Sequence, residues 1–140
     1  MDDKYIVWAE IKGKKFPLCL TVGAADELEK AFGSIPAIAQ NVTDHANKEE
    51  LGEMMHTILS AFLPLAKAGK DYLAARAAFS GEKGESTPDV PEVDVLQTIL
   101  SGTEIVHNIW AAVALALQGG SSRDVEVAPD NSVKNGETAM

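Results

Sequence analysis

The side chains with the greatest chemical reactivity in this chain belong to three histidines and one cysteine. His56 follows Glu53 by three residues, a spacing that puts both side chains on one helix face, as in helical metal sites. We identify no second pair of this kind to complete a set of ligands, so we predict no metal site. His107 lies beside an apolar helical stripe, which favours a hydrogen-bonded structural histidine. Cys19 lies between two leucines, and we interpret it as a small, half-buried apolar side chain.

Motifs for nucleophilic or phosphate chemistry are absent from the sequence. A Ser-His-Asp triad would need a supporting G-x-S-x-G turn, and none occurs. The GK[ST] ending of a phosphate loop is also missing, since Gly69-Lys70 is followed by Asp71. We therefore predict a protein that is not an enzyme, with no catalytic, cofactor-binding or metal-binding residue.

The charge balance limits the partners of this chain. It has 12 Lys and Arg residues against 21 Asp and Glu residues, a formal net charge of −9. Phosphate backbones and anionic lipids repel such a chain, so we predict no nucleic-acid binding and no membrane binding. The acidic N-terminus lacks the apolar core of a signal peptide. The longest mostly apolar run, Ile105–Leu117, falls short of the about 20 residues that span a bilayer. These features predict a cytoplasmic protein.

A β-hairpin is predicted over residues 4–21. β-branched and aromatic residues dominate residues 4–12, Gly13-Lys14 suits a tight turn, and apolar residues alternate along 15–21. Pro17 lacks a donor for the strand ladder, which indicates a sheet edge or a strand start. Two strands are marginal alone in water, so the hairpin must pack against helices or another chain.

Helices are predicted within residues 22–118, with ends marked by capping residues. Thr21 suits the start of the first helix, Gly33 suits its end, and Ser34 suits the start of a second. Asn47 is predicted to begin a third helix, and Thr103 the last. The last helix has an apolar face of Ile105, Val106, Ile109, Trp110, Val113 and Leu117.

The strongest periodic signal is an apolar stripe from Leu51 to Leu63, with spacings of three and four residues. Pro64 is expected to end or kink this helix. A linker rich in Gly, Ser, Pro and charge follows at residues 80–91. Residues 121–140 are predicted to be a disordered tail, because the conformational entropy lost on ordering them exceeds the free energy gained by burying their few valines.

These elements predict a mainly α fold with a small N-terminal β-hairpin, in a single compact domain over residues 1–120 followed by a flexible tail. Trp8 and Phe16, as the exposed part of the hairpin, are candidate partner-binding residues, because the hairpin has little core of its own and Trp is enriched at protein contacts. For Trp8, packing on the helices is the favoured interpretation. Met54 and Met55 are further candidates, since adjacent methionines form adaptable surfaces, although core filling is the favoured interpretation for the inward-facing one.

The stretch FPLCLTVGAADELEKAFG, residues 16–33, resembles the opening of the tail assembly chaperones of long-tailed bacteriophages and their relatives in prophages and gene transfer agents. In that family an L-x-L-T run ends a hairpin and a helix of the form E-L-E-x-x-F-G follows. The matching residues here are Leu18, Leu20, Thr21, Glu27, Leu28, Glu29, Phe32 and Gly33. The layout over 20–117 is similar in outline. This chain departs from the family in its long segment around 64–91 and in its tail.

The resemblance implies a non-enzymatic chaperone in the cytoplasm of a bacterial host that binds the tape measure protein during tail assembly and is absent from the mature virion. It also implies self-association, and the tail tube protein is a second candidate partner. One alternative is a structural subunit retained in the virion. A generic helical adaptor and a small enzyme on a helical scaffold are further alternatives.

Overall fold

The computed structural model describes residues 5–84 and 86–119, and over these residues it confirms the predicted fold class. Two strands and five helices follow one another along the chain, with a π-helical segment leading directly into the last helix. Their bounds are β1 Val7–Ile11, β2 Lys14–Leu18, α1 Val22–Phe32, α2 Ile35–Asn47, α3 Leu51–Ser80, α4 Val93–Ile99, the π-helical segment Glu104–Ile109 and α5 Trp110–Leu117. The tail predicted to be disordered, 121–140, lies outside the described residues.

The hairpin is closed by a two-residue turn at Lys12-Gly13, one residue earlier than predicted. Both residues have positive φ, 52° and 83°, as a type I′ turn requires. The strands pair in antiparallel register, with Ile11 opposite Lys14 and Trp8 opposite Pro17. Because side chains alternate along a strand, Val7, Ala9 and Ile11 face the core, whereas Trp8 and Glu10 face outward.

Helix α3 covers the free edge of β2. Pro17 has no N–H to offer there, and the Cys19 N–H donates to the Leu65 carbonyl at 3.1 Å. At the crossing point a Cβ on Gly69 would lie 2.0 Å from the Pro17 carbonyl oxygen, so only glycine fits. The predicted edge position of Pro17 is thus part of a helix–strand contact, which protects this edge from pairing with other chains.

Helices bury the inner face of the hairpin and part of its outer face. On the inner face Phe16 packs edge-to-face against Phe62 of α3, with ring centroids 6.0 Å apart, within the main core. On the outer face Ile6 and Cys19 pack against Leu73, further along the same helix. The 30-residue α3 therefore contributes to both sides of the hairpin, with its early turns in the main core and its later turns in the smaller cluster.

Local capping confirms the predicted ends of the first helices. The Thr21 hydroxyl accepts from the Ala24 N–H at 3.1 Å, and the Ser34 hydroxyl accepts from the Ala37 N–H at 3.2 Å. Gly33 ends α1 with φ 93°. Each N-cap needs one hydroxyl side chain and the backbone N–H three residues later, which is why the sequence alone predicts these helix starts.

One prediction about the start of α3 is wrong. Asn47 does not begin it but is the last residue of α2, and α3 begins at Leu51 without a side-chain cap. Of the two outcomes predicted for Pro64, an end or a kink, the structure excludes the end, since the helix continues to Ser80. A proline removes one helical hydrogen bond, but the turn after it buries Leu65 against the hairpin, and this tertiary packing outweighs the local penalty.

The last helical region begins differently from the prediction. Ser101, not Thr103, forms the cap: its hydroxyl accepts from the Glu104 N–H at 3.1 Å, and Glu104 Oε1 accepts from the Ser101 N–H at 3.0 Å. This reciprocal pair is a capping box, an S-x-x-E pattern that sequence reasoning passed over. His107 lies in the π-helical segment with an exposed side chain, so its predicted structural role is wrong.

Helices long and apolar enough to cross a membrane are absent from residues 5–84 and 86–119.

Candidate functional site

An open apolar groove lies between the hairpin and α4. One wall is the turn end of the hairpin, and the other is the loop before α4 together with α4 itself. The groove encloses about 450 Å³. Its lining residues are Ile11, Lys12, Lys14, Phe16, Asp89, Val90, Pro91, Val95, Leu96 and Ile99. We call this site the hairpin–α4 groove.

The loop that carries the second wall is tied to α3 by one lysine. The Lys70 ammonium donates to the Thr87 carbonyl at 3.0 Å and to the Pro88 carbonyl at 3.5 Å, and it lies 3.4 Å from Asp89 Oδ1. A hydrogen bond to a backbone carbonyl restrains the path of the main chain, whereas one to an exposed side chain does not. Lys70 therefore fixes the segment that leads into the groove wall.

The floor and the lip of the groove differ in exposure. Phe16 and Leu96 are buried in its floor, 2% and 0% exposed. Val95 and Ile99 form the lip and keep 46% and 48% of their surface. They are four residues apart and so lie one turn apart on one face of α4. Large apolar side chains left half exposed beside a groove are typical of a contact surface for another protein.

Lysines line the hairpin wall, and Asp89, which lies 3.4 Å from the Lys70 ammonium, lines the other wall. Lys12 and Lys14 line the hairpin wall. Lys12 forms an ion pair with Glu104 at 3.3 Å, whereas no ion pair to Lys14 occurs within the described part of the chain. The other wall belongs to residues 86–100, which include three acidic residues and no basic one.

The carboxyl group of Glu104 has a lowered pKa, because the fold stabilises its charged form. The Ser101 N–H, which donates to the Glu104 carboxylate, lowers the pKa of this group below its ordinary value. Desolvation opposes this shift, and the nearby Lys12 ammonium adds to it. The carboxylate thus joins the cap of the π-helical segment to the turn of the hairpin.

The structure separates the two hairpin residues predicted to bind partners. Trp8 is 43% exposed and faces outward, where it lines an open cavity with His107 and Asn108. Phe16 is 2% exposed and belongs to the core, so the prediction of an exposed Phe16 is wrong. Trp8 and Phe16 lie on opposite faces of the hairpin, because Phe16 pairs with Ala9, the neighbour of Trp8.

The two predicted methionines lie in or against the main core rather than in the groove. Met54 is 8% exposed and is a core member. Met55 is half-buried and packs close to Gly102, whose added Cβ would lie 3.2 Å from the Met55 sulfur. Met54 has too little exposed surface to contact a partner in this conformation.

The reactive side chains do not assemble into a metal or catalytic cluster in the described part of the chain. The sequence holds a second Glu-x-x-His pair, Glu104 and His107, which sequence reasoning passed over. Within residues 5–84 and 86–119, no three His, Cys, Asp or Glu side chains are placed to hold a metal ion. His56 instead lies 3.2 Å from the Gln97 amide, and Cys19 is fully buried.

Val95 and Ile99 are the surface residues that sequence reasoning missed. Their spacing identifies one face of α4, but the same spacing is typical of buried faces, and Leu96 on the same helix is buried. The exposure of Val95 and Ile99 depends on which face of α4 is directed toward the hairpin. That long-range arrangement cannot be inferred from the local sequence pattern.

In comparisons with known proteins, no family model, no curated protein and no solved structure matches this chain.

Proposed function

We propose that this chain is a non-enzymatic tail assembly chaperone of a phage or prophage, which binds helical segments of the tape measure protein while the tail is assembled. The observation that carries the proposal is the hairpin–α4 groove with its half-exposed lip residues, Val95 and Ile99. The resemblance of residues 16–33 to the family supports it independently of the groove.

The dimensions of the groove suit an amphipathic helix. An apolar cavity of about 150 Å³ holds a benzene-sized group, so a volume of about 450 Å³ takes roughly three large side chains. An amphipathic helix presents such side chains at spacings of three, four and seven residues. Binding would cover apolar stripes of the partner that would otherwise associate with one another before the tail tube encloses them.

The proposal places the protein in the cytoplasm of the bacterial host and leaves it out of the mature virion. Self-association and contact with the tail tube protein belong to the same proposal. Trp8 is the residue with the exposed surface for such a second contact, because it lies on the hairpin face opposite the groove.

Co-purification of this chain with the tape measure protein encoded in the same genome tests the proposal. We expect the wild-type chain to retain the tape measure protein when both are expressed together, and the double variant Val95→Asp/Ile99→Asp to lose it. Phe79→Asp is the matched control, because Phe79 is 95% exposed at the end of α3 and does not line the groove.

Two results would contradict the proposal. One is repeated failure of the wild-type chain to retain the tape measure protein. The other is recovery of this chain from purified virions at the copy number of a structural subunit, measured by quantitative mass spectrometry.

A further inference from the structure

The hairpin has one edge that helix α3 does not cover, the outer edge of β1. Ile11 and Lys14 flank the two-residue turn and form a hydrogen-bonded pair, and from there hydrogen-bonded and non-hydrogen-bonded pairs alternate. Trp8, which lies opposite Pro17, and Glu10 therefore belong to non-hydrogen-bonded pairs. Pro17 fits this alternation, because it has no N–H to give to β1. The backbone N–H and C=O groups of Trp8 and Glu10 thus point away from β2, toward the outer edge.

These four backbone groups have no hydrogen-bond partner within residues 5–84 and 86–119. An open cavity of about 490 Å³ lies beside them. It is lined by the outward-facing Trp8 and Glu10, and by His107 and Asn108 of the π-helical segment, which packs beneath the inner face of the hairpin. A cavity that touches residues on both faces lies along the edge of the strand. β1 also carries neither a proline nor a bulge, the features that commonly block such an edge.

We propose that this edge pairs with β1 of a second copy of the chain, in an antiparallel arrangement that joins two hairpins into one four-stranded sheet. The inference gives a surface to the self-association in the proposed function and rests on that part of it. In the register that sets Trp8 opposite Glu10 of the second copy, the two residues exchange both of their backbone hydrogen bonds. A two-fold axis at Ala9 repeats this pair, so every outward-pointing group of the two edges is paired.

The edge is complementary to itself in charge and in apolar surface. In this register Glu10 lies opposite Trp8 of the second copy, so like charges do not face each other directly. The side chain of Trp8, 43% exposed in the single chain, comes within reach of its symmetry mate across the axis. Because α3 covers the other edge of the hairpin, the paired sheet has no further open edge of this kind, and assembly stops at a closed dimer.

A proline at position 10 tests the pairing. Glu10→Pro removes an N–H that points to the open edge and none that bonds β2, and Pro17 already occupies a position of the same kind. Glu10→Thr is the matched control, because it removes the same carboxylate and keeps the N–H. We expect sedimentation equilibrium to show a dimer for wild type and Glu10→Thr. The dimer Kd of Glu10→Pro should be at least about tenfold higher, since each half of the interface loses a hydrogen bond.

Hydrogen exchange measures the same pairing in the wild-type chain, so the test does not depend on a variant that folds. The amide protons of Trp8 and Glu10 should exchange slowly at concentrations at which the dimer forms, and faster after dilution to the monomer. The amide of Ala9 is the internal control, because it bonds β2 in either state and should stay protected. Circular dichroism and urea unfolding check that both Glu10 variants are folded.

The outcomes separate the inference from the proposed function. A monomer at every concentration, equal Kd values for the two folded Glu10 variants, or exchange of the Trp8 and Glu10 amides that does not depend on concentration would overturn the inference. Binding of the tape measure protein would stand in each case, because it depends on the hairpin–α4 groove and is measured by co-purification. A chain that dimerises through β1 and fails to retain the tape measure protein would overturn the proposed function and leave the paired edge standing.

Discussion

Gly69 is the residue at which the helix and the hairpin approach most closely. A Cβ there would lie 2.0 Å from the Pro17 carbonyl oxygen and 2.5 Å from its carbon, and both are backbone atoms. A methyl group cannot be accommodated by turning a side chain, so α3 would have to move away from β2. That movement would also lengthen the hydrogen bond from Cys19 to Leu65.

We therefore expect Gly69→Ala to lower the free energy of unfolding by about 3 kcal/mol, the upper part of the range for overpacking. Urea denaturation followed by circular dichroism measures this change. Gly52→Ala is the control, because Gly52 lies in the same helix with nothing within 4 Å of its added Cβ. It should be neutral or stabilise the protein by up to about 1 kcal/mol. Equal effects at the two positions would contradict the close approach at Gly69.

Glu104 is the residue whose titration should affect stability. Its pKa in the folded state lies below the ordinary value, because the carboxylate accepts from the Ser101 N–H and lies near Lys12. A lowered pKa stabilises the fold at pH values above the ordinary carboxyl pKa of about 4.3, and this stabilisation is lost as the pH falls through the folded-state pKa.

We expect Glu104→Gln to remove that part of the pH dependence while keeping an acceptor for the capping box. The measurement is the difference in unfolding free energy between wild type and variant, followed from neutral pH down to about pH 3. The difference should shrink as the wild-type carboxylate is protonated. A difference that stays constant over this range would show that the charge of Glu104 does not stabilise the fold.

At the scale of single residues, the sequence predicted the features that depend only on residues close in sequence. Thr21 and Ser34 are caps because a hydroxyl and an N–H three residues later suffice, and no distant contact is needed. The sequence gives Gly69 no role beyond Gly69-Lys70, which fails the pattern of a phosphate loop. Its actual role depends on Pro17, a residue distant in sequence, and no local pattern contains that contact.

At the scale of elements, α3 is a single helix of 30 residues that passes through Pro64. The sequence predicted that Pro64 ends or kinks this helix, because the local cost of an interior proline is about 3 kcal/mol relative to alanine. Core contacts on both sides of Pro64, from Phe62 and Leu65, keep the helix continuous despite that cost. Helix propensity contains no information on tertiary burial, so the sequence alone could not choose between the two outcomes.

Pro64→Ala should stabilise the protein, because alanine restores the missing N–H and relieves the clash with the preceding turn. We expect the free energy of unfolding to rise by about 1–3 kcal/mol, as measured by urea denaturation. A matched substitution is Ala68→Pro, which puts the same ring one turn later in the helix and should destabilise by at least about 3 kcal/mol. A Pro64→Ala variant less stable than wild type would mean that the core requires the proline geometry.

At the scale of the whole molecule, the core and the groove share residues, but different side chains are expected to determine stability and binding. Phe16 belongs to both: its ring packs on Phe62 in the core, and its edge lies in the groove floor. Val95 and Ile99 lie at the lip, where about half of each side chain is exposed. The fold class was predictable because periodicity and capping are local, but the groove was not, because it depends on how the loop before α4 returns to the hairpin.

We expect Phe16→Ala to lower the free energy of unfolding by about 3–5 kcal/mol, the usual cost of removing a buried aromatic ring. Val95→Asp/Ile99→Asp should change it by less than about 1 kcal/mol, because exposed side chains contribute little to stability. Thermal and urea unfolding measure both. A large loss of stability in the Val95 and Ile99 variant would mean that α4 needs these side chains to pack. Its loss of binding would then be a result of unfolding and would not support the groove as the binding site.

The contact between α3 and β2 also determines when the nascent chain ceases to expose the β2 strand edge during synthesis. The hairpin leaves the ribosome before α3 and can close at once, since its strands are joined by a two-residue turn. The backbone edge at Cys19, however, is covered only when Leu65 and Gly69 have emerged and α3 has docked. Until then an open strand edge is available to other nascent chains. Variants that delay this docking should therefore aggregate during expression more than their equilibrium stability predicts.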